Sequence, residues 1–190
     1  MKLRLSVIIV NWNSGSRLRA NVKSLCRQND PAGLEVLIVD NASADGSADS
    51  IAGVATTRLF RLPSNGGFAA AANMAAREAR GNWLLFLNPD IIHTPNNIDC
   101  LLAGVAGCAK AVGGCGCLVD TQGRPQRHFQ LRRLPSPAWA LAELLLPQQA
   151  RTNGWGLRRH FYAHRPWDRT FRVQQPAAAC LLLRTDTFRE

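Results

Sequence analysis

Long apolar runs are missing from this sequence of 190 residues. The cleanest ones, such as Val7–Val10 and Leu144–Leu146, fall far short of the roughly 20 residues that cross a bilayer. The apolar start of the chain is interrupted by Asn11 and Asn13, and no small-residue cleavage site follows. We therefore expect neither a membrane span nor a secretion signal, and the sequence favours a cytoplasmic protein.

Acidic residues and metal-binding cysteine spacings are also scarce. Lys and Arg number 23 against 13 Asp and Glu, and the resulting charge of +10 favours an anionic partner: nucleic acid, a membrane surface or a phosphorylated small molecule. The six cysteines show no zinc-knuckle spacing, and we expect Cys115 and Cys117 to be small buried residues on one face of a strand. A hydrophobic content of 46% favours a folded domain over disorder.

Short apolar runs alternate with helix-like stretches along most of the chain. The predicted strands cover residues 5–10, 36–39, 58–62, 83–87 and 112–119, and the predicted helices cover 16–27, 48–53, 68–80 and 94–108. The pattern loosens after residue 124, where an apolar helix over 137–146 and a short strand over 181–183 are predicted. The alternation predicts an α/β fold: a Rossmann-like, mostly parallel sheet with helices on both faces and a small antiparallel portion.

Polar residues follow each of the first four predicted strands. They are Asn11-Trp12-Asn13, Asp40-Asn41, Ser64-Asn65-Gly66-Gly67 and Asn88-Pro89-Asp90. Turn formation explains any one of these segments, because Asn, Asp and Gly are common turn residues. Ligands of open α/β sheets bind beyond the carboxyl ends of the strands, however, so the four segments together favour a binding site.

Each of these residues has a plausible chemical role. Asp40 can accept a hydrogen bond from a nucleotide base, and Trp12 offers an aromatic face. Gly66-Gly67 allows close backbone approach, and the helix that follows directs N–H groups at an anion. Asp90 is a hard oxygen ligand for Mg²⁺ or Mn²⁺ bound to a diphosphate, with the Asn88 amide beside it. Neither a G-x-G-x-x-G fingerprint after the first strand nor a P-loop is present, which disfavours an oxidoreductase and excludes a P-loop NTPase.

Four segments in this order resemble glycosyltransferase family 2, with its GT-A fold, and within it the rhamnosyltransferase-like branch. They are SVIIVNWNSGSRLRANVKSL, EVLIVDNASADGS, RLPSNGGFAAAANMAAREARGNWLLFLNPD and, more weakly, AAACLLLRTDTF. The resemblance implies an inverting transferase that uses a dTDP- or UDP-linked sugar with Mg²⁺ or Mn²⁺. It also implies a glycan or polyprenyl-linked acceptor, as in cell-wall or polysaccharide biosynthesis.

The resemblance also implies roles for individual residues. Those implied to hold the base and ribose are Asn11, Trp12, Asp40 and Asn41, and those implied to line the sugar-nucleotide are Asn65, Gly66, Gly67, Phe68 and Asn73. The Asp-x-Asp metal motif of the family falls on Asn88-Pro89-Asp90, where Asn88 replaces the first Asp and Asp90 is the implied metal ligand.

The resemblance divides the chain into a nucleotide-sugar-binding portion, residues 1–123, and a partial acceptor-binding portion, residues 124–190, of one GT-A domain. The resemblance implies that the catalytic base belongs to a Glu-Asp or similar motif after a Gly-Gly-Phe-Asp-Glu-like segment, and this sequence contains no convincing substitute. We therefore expect a chain truncated at its C-terminus, with the base beyond Glu190 and no catalytic residue assigned.

Alternatives remain open at this point. The chain could be a catalytically inactive nucleotide-binding or scaffold domain of the same fold, or a basic nucleic-acid-binding module, although it lacks the motifs of such modules and we expect no nucleic-acid partner. The helix over 137–146 is either buried core or an interfacial helix that contacts anionic lipid at the inner face of the membrane. His93 is expected at the polar surface of a turn, with a ligand role as the alternative.

Overall fold

The computed structural model describes residues 4–28, 33–54, 56–127, 130–134, 136–137, 141, 145 and 160–190. The chain forms two compact units. The first contains residues 1–116 and 178–190, and the second contains residues 117–177. The division of function expected at residue 123 stays a prediction.

Six strands form the sheet of the first unit. The strands of the described residues are β1 (Leu5–Asn11), β2 (Leu34–Asp40), β3 (Thr57–Arg61), β4 (Trp83–Leu87), β5 (Gly113–Cys115), β6 (Leu131–Arg132), β7 (Gln175–Pro176) and β8 (Cys180–Arg184). The order in the large sheet is β3-β2-β1-β4-β8-β5. The first four strands, β1 to β4, run parallel to one another, and β8 runs antiparallel to both β4 and β5. The predicted mostly parallel sheet with an antiparallel portion is confirmed.

The helices of the described residues are α1 (Ser16–Gln28), α2 (Phe68–Glu78), α3 (Asn97–Ala106) and α4 (Thr185–Arg189). They follow the predicted order with three differences, the first of which is that α4 was not predicted. The helix predicted over 48–53 is a single 3₁₀ turn, Asp49–Ile51. The helix start predicted at Thr94-Pro95 is wrong, because Asn96 adopts a left-handed conformation (φ 62°) and α3 begins only after it.

Side chains from both faces of the sheet are buried. Every residue of β1 and β2 is buried, as expected for central parallel strands covered on both sides. Ile8 and Val10 of β1 pack with Leu37 and Val39 of β2 against the alanine-rich face of α2. The small alanine side chains allow α2 to lie close to the sheet, immediately after the turn that carries Gly66-Gly67.

The strand predicted over 112–119 is much shorter than expected. The strand consists of Gly113–Cys115, which pair with β8, and a Cβ atom at Gly114 would lie 2.5 Å from Val105 Cγ2 of α3. Cys117 lies beyond the strand and is exposed, while Cys115 is half-buried. The expectation of two buried cysteines on one strand face is therefore wrong.

The second unit contains the two-stranded antiparallel sheet of β6 and β7. The turn predicted at Asp120–Gly123 is confirmed: the Gly123 N–H donates to the Asp120 carbonyl over 3.0 Å, and Gly123 has a φ of 77°. The apolar helix predicted over 137–146 lies mostly outside the described residues, although Leu141 and Leu145 are described and exposed. Among the described residues, no helix combines the length and hydropathy needed to cross a membrane.

Candidate functional site

The register of the parallel strands brings their polar ends to one edge of the sheet. Asn11 and Asp40 are direct partners at the ends of β1 and β2, and Asp40 also pairs with Arg61 of β3. Leu87, the last residue of β4, is level with Ile9 of β1. The segments after these strands therefore share one end of the sheet, as the sequence predicted.

A buried polar cluster lies at this edge. The Asn11 Nδ2 atom is 2.8 Å from Asp40 Oδ1, 2.8 Å from Ser47 Oγ and 3.1 Å from Ser43 Oγ. Because Asp40 Oδ1 is an acceptor, the Asn11 side chain must present its NH₂ group there, and its Oδ1 is left buried without a hydrogen-bond partner among the described residues. Among the described residues, the Asp40 Oδ2 atom has only a long, 3.4 Å contact with the Ser43 N–H, so it keeps acceptor capacity.

The loop after β2 is fixed to the loop after β1 by further hydrogen bonds. The Asn13 N–H donates to Ser43 Oγ (2.9 Å), and the Ala44 N–H donates to Asn13 Oδ1 (2.9 Å). The Gly15 N–H donates to Asp45 Oδ2 (2.7 Å). Hydrogen bonds from Ser47 and from this N–H hold the pKa of Asp45 below its ordinary value. The sequence indicated only a polar turn at 41–47, and the Asp-Gly-Ser order was the available signal for a carboxylate that caps a turn.

Two asparagines connect β2 to the glycine turn. Asn41 Nδ2 donates to Asn65 Oδ1 over 2.7 Å, and the Gly66 N–H donates to Asn41 Oδ1 over 3.1 Å. The Gly67 N–H donates to Asn65 Oδ1 over 2.9 Å. Gly67, the N-cap of α2, has a φ of 84°, a conformation that side-chain-bearing residues rarely adopt. These contacts fix the turn and with it the N-terminus of α2.

A pocket of about 310 Å³ opens above this cluster. Its lining residues are Val10, Trp12, Asn41, Asn65, Gly67, Phe68 and Pro89. Trp12 is 60% exposed and Phe68 is 44% exposed, and both line this pocket, as exposed apolar side chains of ligand-binding grooves do. The pocket thus combines two exposed aromatic rings with two amide side chains and a helix N-terminus.

Other residues singled out from the sequence do not line this pocket. Asn11 and Asp40 are buried in the cluster described above, and Gly66 lies in the turn. Asn73 is exposed on α2, outside the lining. Asn88 is half-buried and Asp90 is exposed, on either side of Pro89, which does line the pocket.

The segment after β4 forms a turn that presents Asp90. The Ile91 N–H approaches the Asn88 carbonyl at 3.4 Å across Pro89 and Asp90. No ion pair of the described residues involves Asp90. The described part of the chain contains no group of three or more His, Cys, Asp or Glu side chains able to hold a metal. A single exposed carboxylate fits a Mg²⁺ or Mn²⁺ ion whose other ligands are phosphate oxygens and water.

His93 is buried, which corrects the expectation of a surface histidine. Its side chain is 4% exposed, and its Nδ1 atom is 3.2 Å from Asn97 Nδ2. Burial lowers the pKa of His93, and the contact with Asn97 partly opposes this effect. Its backbone N–H donates to Ser24 Oγ of α1 over 3.1 Å.

Comparison with solved structures identifies the fold as GT-A. S. aureus TarS (residues 1–349) matches 98% of this chain and 48% of its own, with a TM-score of 0.62 at 18% identity. The Pyrobaculum calidifontis mannosyltransferase PcManGT, solved in complex with GDP-Man and Mn²⁺, matches 64% of this chain and 37% of its own, with a TM-score of 0.56 at 22% identity. At these identities the likeness concerns the fold alone.

The sequence family is defined by a separate match. Residues 6–165 match the model of Glycosyl transferase family 2, and the chain therefore belongs to this family. An uncharacterized glycosyltransferase of Haemophilus influenzae is 31% identical over 98 residues, which cover 52% of this chain and 33% of that protein. The succinoglycan biosynthesis protein ExoO of Rhizobium meliloti is 29% identical over 138 residues, which cover 69% of this chain and 39% of that protein. The chain spans well under half the length of these relatives.

Proposed function

We propose that this chain binds the nucleoside diphosphate part of a sugar donor at the C-terminal edge of its sheet and serves an inverting glycosyltransferase. The observation that carries the proposal is the pocket between Trp12, Asn41, Asn65 and Phe68. The family membership supports a transferase, and the structural neighbour solved with GDP-Man and Mn²⁺ supports a nucleotide-sugar ligand.

The pocket suits a pyrimidine base. Trp12 and Phe68 offer exposed aromatic faces on which a base can stack. Asp40 is buried next to Asn41 of the pocket lining. We propose its second carboxylate oxygen as the acceptor for the imide N–H of uracil or thymine, while Asn11 holds the first. We therefore propose a UDP- or dTDP-linked donor, with a deoxysugar such as rhamnose by resemblance to that branch of the family.

The diphosphate would lie between the N-terminus of α2 and Asp90. The Asn41–Asn65 pair holds the Gly66-Gly67 turn, so that the first N–H groups of α2 can face an anion. Asp90 would hold Mg²⁺ or Mn²⁺ together with phosphate oxygens, and Asn88 would add a neutral oxygen. Such a metal ion supplies positive charge that stabilises a diphosphate leaving group.

The transfer step then follows from charge. The anomeric carbon becomes oxocarbenium-like as its bond to the diphosphate breaks, and the acceptor hydroxyl attacks from the opposite face while a base removes its proton. Inversion of the anomeric centre is the stereochemical result. We propose a glycan or polyprenyl-linked acceptor, and no residue of this chain is assigned as the base.

Isothermal titration calorimetry with UDP and dTDP tests the proposal directly. We expect binding of at least one nucleotide, and we expect Mn²⁺ to raise the affinity because it offsets charge between Asp90 and the diphosphate. GDP and free phosphate serve as controls for base and anion recognition. Absence of binding to both UDP and dTDP, with and without Mn²⁺, would contradict the proposal and favour the alternative of an inert scaffold domain.

A further inference from the structure

Helix α1 contacts the turn that carries Asp90, through Asn21 and Ser24, two side chains that do not line the pocket. Asn21 of α1 is fully buried, and its Nδ2 atom donates to the Asn88 carbonyl over 2.9 Å. The same carbonyl accepts the Ile91 N–H across the turn. Asn21 is therefore hydrogen-bonded to the same carbonyl oxygen that accepts the hydrogen bond of the Asn88–Ile91 turn.

A second contact fixes the far end of the same segment. Ser24 lies one turn after Asn21 on the same face of α1. Its hydroxyl donates to the Asn21 carbonyl over 2.7 Å, which leaves the Ser24 oxygen as the acceptor of the His93 N–H at 3.1 Å. Burial of the His93 ring beside Asn97 further holds this end in place.

The segment between the two contacts is short and faces outward. Asn88 at one end and His93 at the other are hydrogen-bonded to residues one turn apart on α1. Asp90 and Ile92, which lie between them, are exposed. An exposed carboxylate on a free loop would lose conformational freedom when it binds a metal ion, and that loss would weaken binding. Fixing both ends of a six-residue segment removes much of that freedom beforehand.

We propose that Asn21 and Ser24 are positioning residues that fix the Asp90 turn and thereby set the affinity of the site for the metal–diphosphate group. The inference rests on the proposed function. It assigns a role to α1 at the metal end of the site, where Pro89 of the same turn also borders the pocket of Trp12 and Phe68. A buried Asn costs stability unless it is hydrogen-bonded, and among the described residues the side chain of Asn21 has one hydrogen bond, the one to the turn.

Two variants separate this role from a general role in folding. Asn21→Leu keeps the branched shape and the number of side-chain heavy atoms, is bulkier, and removes the donor. Because Asn21 Oδ1 has no partner among the described residues, its loss leaves no new unpaired donor. Ser24→Ala removes the acceptor of the His93 N–H. Thr57→Val is the matched control, since it removes a 2.6 Å hydroxyl-to-carbonyl bond (Thr57 to Val54) at the start of β3.

Amide hydrogen exchange measured by NMR tests the positioning without any ligand. We expect the Ile91 amide in Asn21→Leu and the His93 amide in Ser24→Ala to exchange at least about tenfold faster than in the wild-type chain, because local opening becomes easier. The Ile38 amide in β2 should be unchanged. Unchanged exchange at Ile91 and His93 in folded variants would overturn the proposal.

Calorimetry with UDP in Mn²⁺ and in EDTA tests the consequence for the metal. We expect Asn21→Leu to reduce the Mn²⁺ enhancement of UDP affinity roughly tenfold, the size of effect seen when partners of metal ligands are removed. The affinity in EDTA should stay within about twofold, and Thr57→Val should change neither value. An equal loss of UDP affinity in Mn²⁺ and in EDTA, or an Mn²⁺ enhancement equal to that of the wild-type chain, would overturn the proposal.

The two experiments also separate this proposal from the proposed function. If Mn²⁺ does not raise the UDP affinity of the wild-type chain, the proposed metal function fails, and the exchange experiment still decides whether α1 fixes the turn.

Discussion

The two ends of the central strands both bury polar side chains, but they differ in how many of those atoms are paired. At the N-terminal end, Glu35 of β2 accepts hydrogen bonds from Ser6 Oγ and from the Arg80 N–H, each over 2.6 Å. The Gly81 N–H donates to the same serine oxygen over 2.8 Å, and Thr185 Oγ1 donates to the Gly81 carbonyl over 2.7 Å. Among the described residues, every buried side-chain atom of this cluster has a partner.

The C-terminal end retains unused hydrogen-bonding capacity. Asn11 Oδ1 is buried without a partner among the described residues, and Asp40 Oδ2 has only a long contact. Exposed aromatic rings lie directly above, at Trp12 and Phe68. A paired buried cluster contributes to stability, whereas unpaired acceptors cost stability and are retained where a ligand uses them. The comparison therefore supports a folding role for the N-terminal end of the central strands and agrees with the binding role proposed for the C-terminal end.

The largest expected effect is at the N-terminal end. Glu35→Ala leaves the Ser6 hydroxyl and the Arg80 N–H without their acceptor and should lower the free energy of unfolding by about 3 kcal/mol. Glu78→Ala is the control: Glu78 pairs with Arg58, as Glu35 does, but is exposed, so its loss should cost about 0.5 kcal/mol or less. Urea denaturation measures both, and equal losses would contradict the assignment.

Two glycine substitutions compare the tight packing at Gly81, at the N-terminal end of the central strands, with the open position of Gly104 in α3. The Cβ of Gly81→Ala would lie 2.6 Å from the Ser6 backbone nitrogen, which cannot move without disturbing β1, and we expect a loss of about 2 kcal/mol. Gly104→Ala in α3 meets nothing within 4 Å and should stabilise the protein by about 0.5–1 kcal/mol. Thermal unfolding compares the two variants, and a stable Gly81→Ala protein would show that this contact is not tight.

Trp12 tests the binding role proposed for the C-terminal end of the central strands, because it lines the pocket there. Trp12→Ala should weaken UDP or dTDP binding about tenfold through loss of base stacking, and it should change stability by about 0.5 kcal/mol or less. Val112→Ala, another exposed apolar residue outside the pocket, should change neither quantity. Calorimetry and urea denaturation on the same samples give both values. A large stability loss with unchanged affinity would place Trp12 in the core instead.

The smallest expected effect is a pH dependence near the Asp90 turn. Burial lowers the pKa of His93 in the folded protein, so the unfolded chain takes up a proton at this residue before the folded one does. Stability from this group is therefore present above about pH 6.5 and falls as the pH drops through the lowered pKa. His93→Gln should make stability less dependent on pH between about pH 7 and pH 5. An unchanged slope in urea denaturation at several pH values would contradict this.

The sequence allows much of the arrangement at the C-terminal end of the central strands to be predicted. The β-branched runs of β1 and β2 predicted buried parallel strands, and the residues after parallel strands must meet at one edge. Asn11, Asp40, Asn41 and Asn65 accordingly lie in one hydrogen-bonded region. Their ligand contacts stay predictions.

The contacts between distant segments could not be predicted. Asn21 lies within a helix and Ser24 beside it, and nothing local indicates that they contact a turn nearly 70 residues later. The burial of His93 depends on the same packing. The strand predicted over 112–119 was too long. Gly113 and Gly114 lie close to β8 and α3, and the apolar pattern does not show these contacts.

The assignment of binding to one end of the sheet is tested most directly by NMR chemical shifts of the ¹⁵N-labelled chain on addition of UDP or dTDP with Mg²⁺. We predict shifts at the amides of Trp12, Asn41, Gly67 and Asp90, and line broadening centred on Asp90 when Mn²⁺ replaces Mg²⁺. The amides of Ser6, Glu35 and Gly81 should stay unchanged. Shifts centred on the Glu35 end, or none at the pocket with saturating nucleotide, would contradict the account.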